Sequence, residues 1–140
     1  MIEELSDLQA LDDHVRKSAG LKFREAILRY YRDLGESLGY TVRENASIIK
    51  NGVNFGRMDM IWLEPNVVFA AEFGNPEEIY KHLWKILEYS PAMAVLILSS
   101  KSACKADEVA KIIEKSPLVG EKRNIFLILD VTDKKVVRRP

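Results

Sequence analysis

The sequence predicts an α/β fold, a central mixed β-sheet flanked by helices. The spacing of apolar residues switches from the helical 3–4 rhythm to period two and back along the chain. A meander of period-two runs comes first. Later, short wholly apolar runs are separated by helical stretches, as crossovers between parallel strands require. The 140 residues suit one domain with a real core. Hydrophobic residues make up 47% and charged residues 30%, which argues against disorder and against a fibrous repeat. We read 1–140 as a single domain, with a leading helical segment at 1–19, a core at 20–133 and a basic tail at 134–140.

The first eighteen residues predict a short amphipathic helix, with Ile2, Leu5, Leu8, Leu11 and Val15 at helical spacing. Gly20 separates it from a stronger helix at about 21–38. There Phe23, Ile27, Tyr30, Tyr31, Leu34 and Leu38 form the buried stripe, and Gly39 stops it. Residues 40–44 and 46–50 read as extended, and Asn51-Gly52 is a turn signal. Two more strands, 57–63 and 67–73, join through a tight turn near Pro65-Asn66. A helix follows at once. Asn75 can cap it, Pro76 suits its first position, and Glu78 completes a capping-box-like pair. Its stripe is Ile79, Leu83, Ile86 and Leu87. The run 94–98 suits a strand covered on both faces. A helix at about 103–115 buries Val109, Ile112 and Ile113, and 125–131 is a last buried strand.

Composition excludes several classes. No apolar run is long enough to cross a bilayer, so no membrane partner is expected. The chain opens Met1-Ile2-Glu3-Glu4, acidic where a secretory signal needs basic residues. The lone Cys104 supports neither an intramolecular disulfide nor a multi-cysteine zinc site. A cytoplasmic location is the expectation. Lys+Arg (21) and Asp+Glu (21) cancel, so no global field steers the chain to nucleic acid. The tail residues Lys134, Lys135, Arg138 and Arg139 either touch phosphate or are simply solvated.

Two carboxylates sit inside apolar strands, Asp59 in Arg57-Met58-Asp59-Met60-Ile61-Trp62 and Glu72 in Phe69-Ala70-Ala71-Glu72-Phe73-Gly74. Buried charge is costly unless it is paired or coordinated. If Pro65-Asn66 is a two-residue loop, Asp59 lies opposite Glu72, Ile61 opposite Ala70 and Leu63 opposite Val68, all on one face. Opposed carboxylates need a proton or a cation between them, and Mg²⁺ or Mn²⁺ suits their oxygens. The alternative is a pair of solvent-facing acids on an edge hairpin. A register slip of one residue would part them.

An aspartate, a short turn and a glutamate, between a long helix and a capped helix, resemble the PD-(D/E)xK nuclease superfamily over about 20–100. Arg24-Glu25-Ala26-Ile27-Leu28 is similar to the helix segment of its archaeal junction-resolvase branch, with the acid at Glu25. Gly56-Arg57-Met58-Asp59 supplies the aspartate, and Ala71-Glu72-Phe73-Gly74 the acid of the third-strand motif. The resemblance implies a restriction-endonuclease-like fold and a Mg²⁺- or Mn²⁺-dependent endonuclease. Its metal ligands would be Asp59 and Glu72, with Glu25 as an outer ligand, and its partner nucleic acid, DNA first. It also implies that two copies pair where two strands are cut. The alternative function is a catalytically degenerate domain of this fold, acting as a nucleic-acid-binding or protein-interaction module.

The chain departs from the family at Gly74, which stands where the family has lysine. In the same register Arg57 faces Gly74 and could supply the missing positive charge. Lys81, on the next helix, is the other candidate, unless it lies on a solvated face. Glu25 falls nearly opposite the buried stripe of its own helix, so a solvent-facing role explains it equally well. His82 reads as a helix-surface residue, with a third metal ligand or a general base as the alternative. Cys104 reads as a small packed hydrophobe.

Overall fold

Six strands line up in chain order in one mixed sheet, in a computed structural model that describes residues 1–140. β1 (Val42–Lys50), β2 (Val53–Trp62) and β3 (Val67–Ala71) form the antiparallel meander expected from their period-two pattern. β4 (Met93–Leu98) and β5 (Phe126–Asp130) then run parallel to β3. Helices α4 (Pro76–Tyr89) and α5 (Ala106–Lys115) carry the two crossovers. α1 (Ile2–Leu5), α2 (Leu8–Lys17) and α3 (Phe23–Ser37) precede the sheet.

The alternation along the parallel strands decides the layers. Ala94, Leu96, Leu98, Phe126 and Ile128 join a core with Ile79, Leu83 and Ile86 of α4 and Val109 and Ile113 of α5. Val95, Ile97, Leu127 and Leu129 face the other way, onto Leu5, Leu8, Leu11, Ile27 and Tyr31. Helices α1–α3 therefore cover one face and α4–α5 the other. Full burial of β4 and β5 is why their sequences are continuously apolar. No helix is long and apolar enough to cross a membrane.

Three expectations change. The leading helix is two helices, because Asp7 caps the second by accepting the Ala10 N–H at 3.1 Å. The expected stripe of α3 ends early, with Phe23 and Leu38 partly exposed at its two ends. The basic tail is not a solvated extension. Lys135–Arg138 forms β6, antiparallel to β5. Arg138 donates to Glu114 at 2.7 Å and to the Phe126 carbonyl at 3.1 Å, and Lys134 pairs with Asp12 at 3.1 Å. The sheet supplies partners for charges that the sequence shows only as a cluster.

The C-terminal end of α4 is tied from two sides. Lys50 of β1 donates to the Glu88 carbonyl at 2.8 Å. Lys122, in a 3-10 turn at Gly120–Ile125, donates to the Leu87 carbonyl and to Ser90 Oγ, both at 2.7 Å. Cations here satisfy orphan carbonyls and complement the helix dipole.

Candidate active site

The geometry begins with a turn. β2 and β3 pair Trp62 with Val67, Ile61 with Val68 and Met60 with Phe69. The connection is therefore four residues, 63–66, closed by the Asn66 N–H on the Leu63 carbonyl at 3.2 Å. Asn66 takes a left-handed φ of 57°, which asparagine tolerates better than most residues. The two-residue loop is thus corrected, and Asp59 is not directly opposite Glu72. The displacement is an even number of residues, so the face survives: Ile61, Val68 and Ala70 share one core.

The paired rungs of β2 and β3 end at Met60 and Phe69. Beyond them the side chain of Asp59 bridges the strands, its Oδ2 accepting the Ala71 N–H at 2.8 Å. On the other side of β2, Asn45 has a left-handed φ of 48°. The β1–β2 pairing passes from Glu44↔Met60 to Ala46↔Met58 around it. Met58 and Met60 consequently face opposite cores, although residues two apart normally share a face. β2 twists at Asp59, and the twist lets one carboxylate meet groups from both helix layers.

Arg24 pairs with Asp59, and Glu72, His82 and Lys85 come from the neighbouring segments. Arg24, in the first turn of α3, donates through Nη2 to Asp59 Oδ1 and through Nε to the Ala71 carbonyl at 3.3 Å. Glu72 follows β3, and its Oε2 accepts the Gly74 N–H at 3.0 Å. His82 and Lys85 come from α4. Asn75 sets the start of that helix by accepting the Glu77 N–H at 2.9 Å, with Pro76 in the first turn. His82 Nε2 lies 3.7 Å from Glu72 Oε1. Lys85 Nζ donates to the Arg57 carbonyl at 2.7 Å.

Burial pushes the pKa of His82 below the ordinary imidazole value. Asp59 and Glu72 act to raise it, while Lys85 and Arg24 act to lower it. Its Nδ1 is buried without a hydrogen-bond partner. The expectation of a surface histidine is therefore corrected: the side chain is largely enclosed, beside Glu72. Cys104 is buried as expected, and burial, with a smaller contribution from Glu72, pushes its thiol up to about 11.

The other candidates lie elsewhere. Arg57 pairs with Ser47 of β1 and donates to the Asn45 carbonyl at 3.0 Å, so it does not face Gly74. Lys81 is exposed and paired with Glu78 at 2.9 Å. Glu25 is exposed on the outer side of α3, in a cleft with Arg29, Arg32 and Glu44. The largest cleft, about 520 Å³, runs along β1 past Asn45, Ile61 and Tyr89, and neither Asp59 nor Glu72 lines it.

No family model, curated protein or solved structure matches this chain.

Arg24 and Lys85 are the residues that sequence reading missed. Lys85 had a signal: it follows His82 by three positions, hence on the same helix face. Arg24 had a fainter one, a cation in the first turn of a helix, where the dipole disfavours it. No three His, Cys, Asp or Glu side chains form a ready-made metal cage. Carboxylate oxygens are the donors Mg²⁺ and Mn²⁺ prefer, but both Asp59 oxygens and Glu72 Oε2 already accept hydrogen bonds from the protein.

Proposed function

We propose that this chain is a metal-dependent, nuclease-like hydrolase of phosphodiester bonds in nucleic acid, DNA first, built on a restriction-endonuclease-like plan. One observation carries the reading: Asp59 bridges β2 and β3 where their pairing ends, and Glu72, just past β3, lies beside His82. The chain order of a long helix, an antiparallel meander, a capped helix and a parallel strand supports it further.

Asp59 and Glu72 would hold a Mg²⁺ or Mn²⁺ ion. Such an ion, when bound, lowers the pKa of a water and offsets charge on the phosphate. The chain's own residues supply the rest. Lys85 brings a positive charge that the Arg57 carbonyl holds in place, and it takes over from the lysine absent at Gly74. Held charges of this kind stabilise a transition state because they need no reorganisation. His82, kept neutral by burial at pH 7, can accept a proton at a ring nitrogen. Glu72, anchored by the Gly74 N–H, keeps Oε1 towards that imidazole.

A second reading is favoured by Arg24 on Asp59. A cation of the protein's own already neutralises that acid. The domain would then be catalytically degenerate, a nucleic-acid-binding or protein-interaction module.

Cleavage of linear and branched DNA, and of RNA, with Mg²⁺ or Mn²⁺ separates the two. The hydrolase reading expects metal-dependent cutting that vanishes in Asp59→Ala/Glu72→Ala. Lys85→Met should slow it by about 10²–10³. A Cβ at Gly74 would meet only Glu72 Oε2, at 3.4 Å, so Gly74→Lys is sterically allowed and should raise the rate. If neither the wild type nor Gly74→Lys cuts any substrate, the module reading replaces it.

A further inference from the structure

The chain has two tryptophans and five tyrosines, and only Tyr80 and Trp84 among them are exposed. They stand one turn apart on the outer side of α4, 56% and 49% accessible. Phe55 of β2 meets the Trp84 ring at 82°, centroids 5.4 Å apart, and steadies the indole while leaving it open to solvent.

Three lysines flank Trp84. Lys85 follows it in the chain and ends on the Arg57 carbonyl at 2.7 Å. Lys50 and Lys122 line a cleft of about 460 Å³ with Trp84 and end on the Glu88 and Leu87 carbonyls at 2.8 and 2.7 Å. A carbonyl carries no charge, so none of the three ammonium groups is neutralised there, and each keeps a donor to spare. Glu88 and Glu121 line the same cleft, so positive charge is in surplus about the indole. At the other ring, Lys105 lines the adjoining groove, where Glu108 is already paired with Lys111 at 3.8 Å.

We propose that the Tyr80–Trp84 face of α4 binds an unpaired nucleic-acid strand, its bases on the two rings and its phosphates on Lys50, Lys85 and Lys122. Any base has a face to stack, and cations beside the rings follow the backbone. Base pairs within a duplex hide their faces, so the fit is to unpaired strand. Protein interfaces instead keep charge away from their aromatic centres. Here lysines and glutamates border the rings, and Leu118 is the only exposed aliphatic in the cleft. Lys85 lies one turn from His82, so this face adjoins the candidate active site. The proposal rests on the nucleic-acid part of the functional reading and requires neither metal nor cleavage.

The test is titration of the full chain, in EDTA, with fluorescein-labelled oligo-dT and oligo-rU of about 16 nucleotides and with a DNA duplex of equal length. Anisotropy gives the affinity. Tryptophan fluorescence reports the ring, because Trp62 is buried and Trp84 is not. Either oligonucleotide should quench Trp84 and bind more tightly than the duplex, and the dT and rU arms tell DNA from RNA. Tyr80→Ala and Trp84→Ala should each weaken binding about tenfold, the scale of one stacked base, and Trp84→Phe should retain most of the affinity. Lys50→Met or Lys122→Met should flatten the log–log salt dependence by about 0.7. Both rings are half exposed, so the alanine variants keep the core and should melt like wild type. Binding unchanged in Tyr80→Ala and Trp84→Ala, or cleavage of nucleic acid by a protein whose Trp84 no oligonucleotide quenches, overturns the proposal and leaves the functional reading standing. Self-association that Trp84→Ala abolishes also overturns it, because a second copy then covers the face. Neither binding nor metal-dependent cutting of any nucleic acid overturns both.

Discussion

Gly35 lies in the last turn of α3, where alanine is still the better helix former, and its replacement by alanine should destabilise the protein all the same. A Cβ there would come within 2.4 Å of Trp62 Nε1 and 2.6 Å of Cε2. Non-bonded heavy atoms prefer about 3.5 Å, so the helix or the indole must retreat by about 1 Å. The indole has nowhere to go. It is fully buried, with Phe69 at a ring-centroid distance of 4.8 Å and Tyr40 at 5.5 Å. Overpacking of this kind costs about 1–3 kcal/mol, and two flanking rings put this site in the upper half. Helix propensity returns about 1 kcal/mol. The net loss is about 1–2 kcal/mol, a fall in Tm of roughly 3–6 °C for a chain of this size. Urea unfolding followed by tryptophan fluorescence measures it. Trp62→Phe in the Gly35→Ala background should recover part of the loss in a double-mutant cycle. A Gly35→Ala protein as stable as the parent, or more so, would refute the close-approach argument.

Three further outcomes are expected. His82 has its pKa lowered by burial, so the unfolded chain binds its proton first as pH falls. Stability should be insensitive to His82 above about pH 6.5 and fall from there down to the folded pKa. Urea unfolding across that range should show the slope, and His82→Gln should flatten it. Cys104 is buried and its thiol is pushed up to about 11, so a thiol reagent at pH 8 should react only after unfolding; fast labelling of the native protein would contradict this packing. Asn75→Ala removes the cap of α4 and should cost about 1 kcal/mol. Amide exchange should then rise at Glu77, and protection unchanged there would deny the cap its role.

Much of the fold was legible because single elements carried strong local signals. The Asn75-Pro76 start of α4, the apolar run of β4 and the meander are each fixed by local chemistry. Glu78 was the exception at that cap, because it engages Lys81 instead. The β2–β3 register was not legible, since Glu64-Pro65-Asn66 suits loops of two or four residues. The choice rests on the left-handed Asn66 and its bond to Leu63. β6 was hidden because Lys135 and Arg138 bracket its two valines, and charge dominated the reading. Asp59 and Glu72 stand out in the sequence by the cost of burying a carboxylate, and both side chains are largely enclosed, although Glu72 lies just past β3. The cations carried only faint local signals, Lys85 its spacing from His82 and Arg24 its place in a helix first turn, and neither signal separates a pairing cation from a solvated one. Those choices depend on how α3 and α4 are rotated against the sheet.

The two lysine ties at the far end of α4 have a mechanical consequence. Lys50 of β1 and Lys122 of the 3-10 turn hold the C-terminal end of α4 from two sides and so oppose its sliding along its axis. His82 and Lys85 then travel only as far as their own torsions allow. On the proposed function, a ligand at Asp59 would meet an anvil rather than a jaw. Whatever adjusts on contact is a side chain at the rim, and the scaffold beneath keeps its shape.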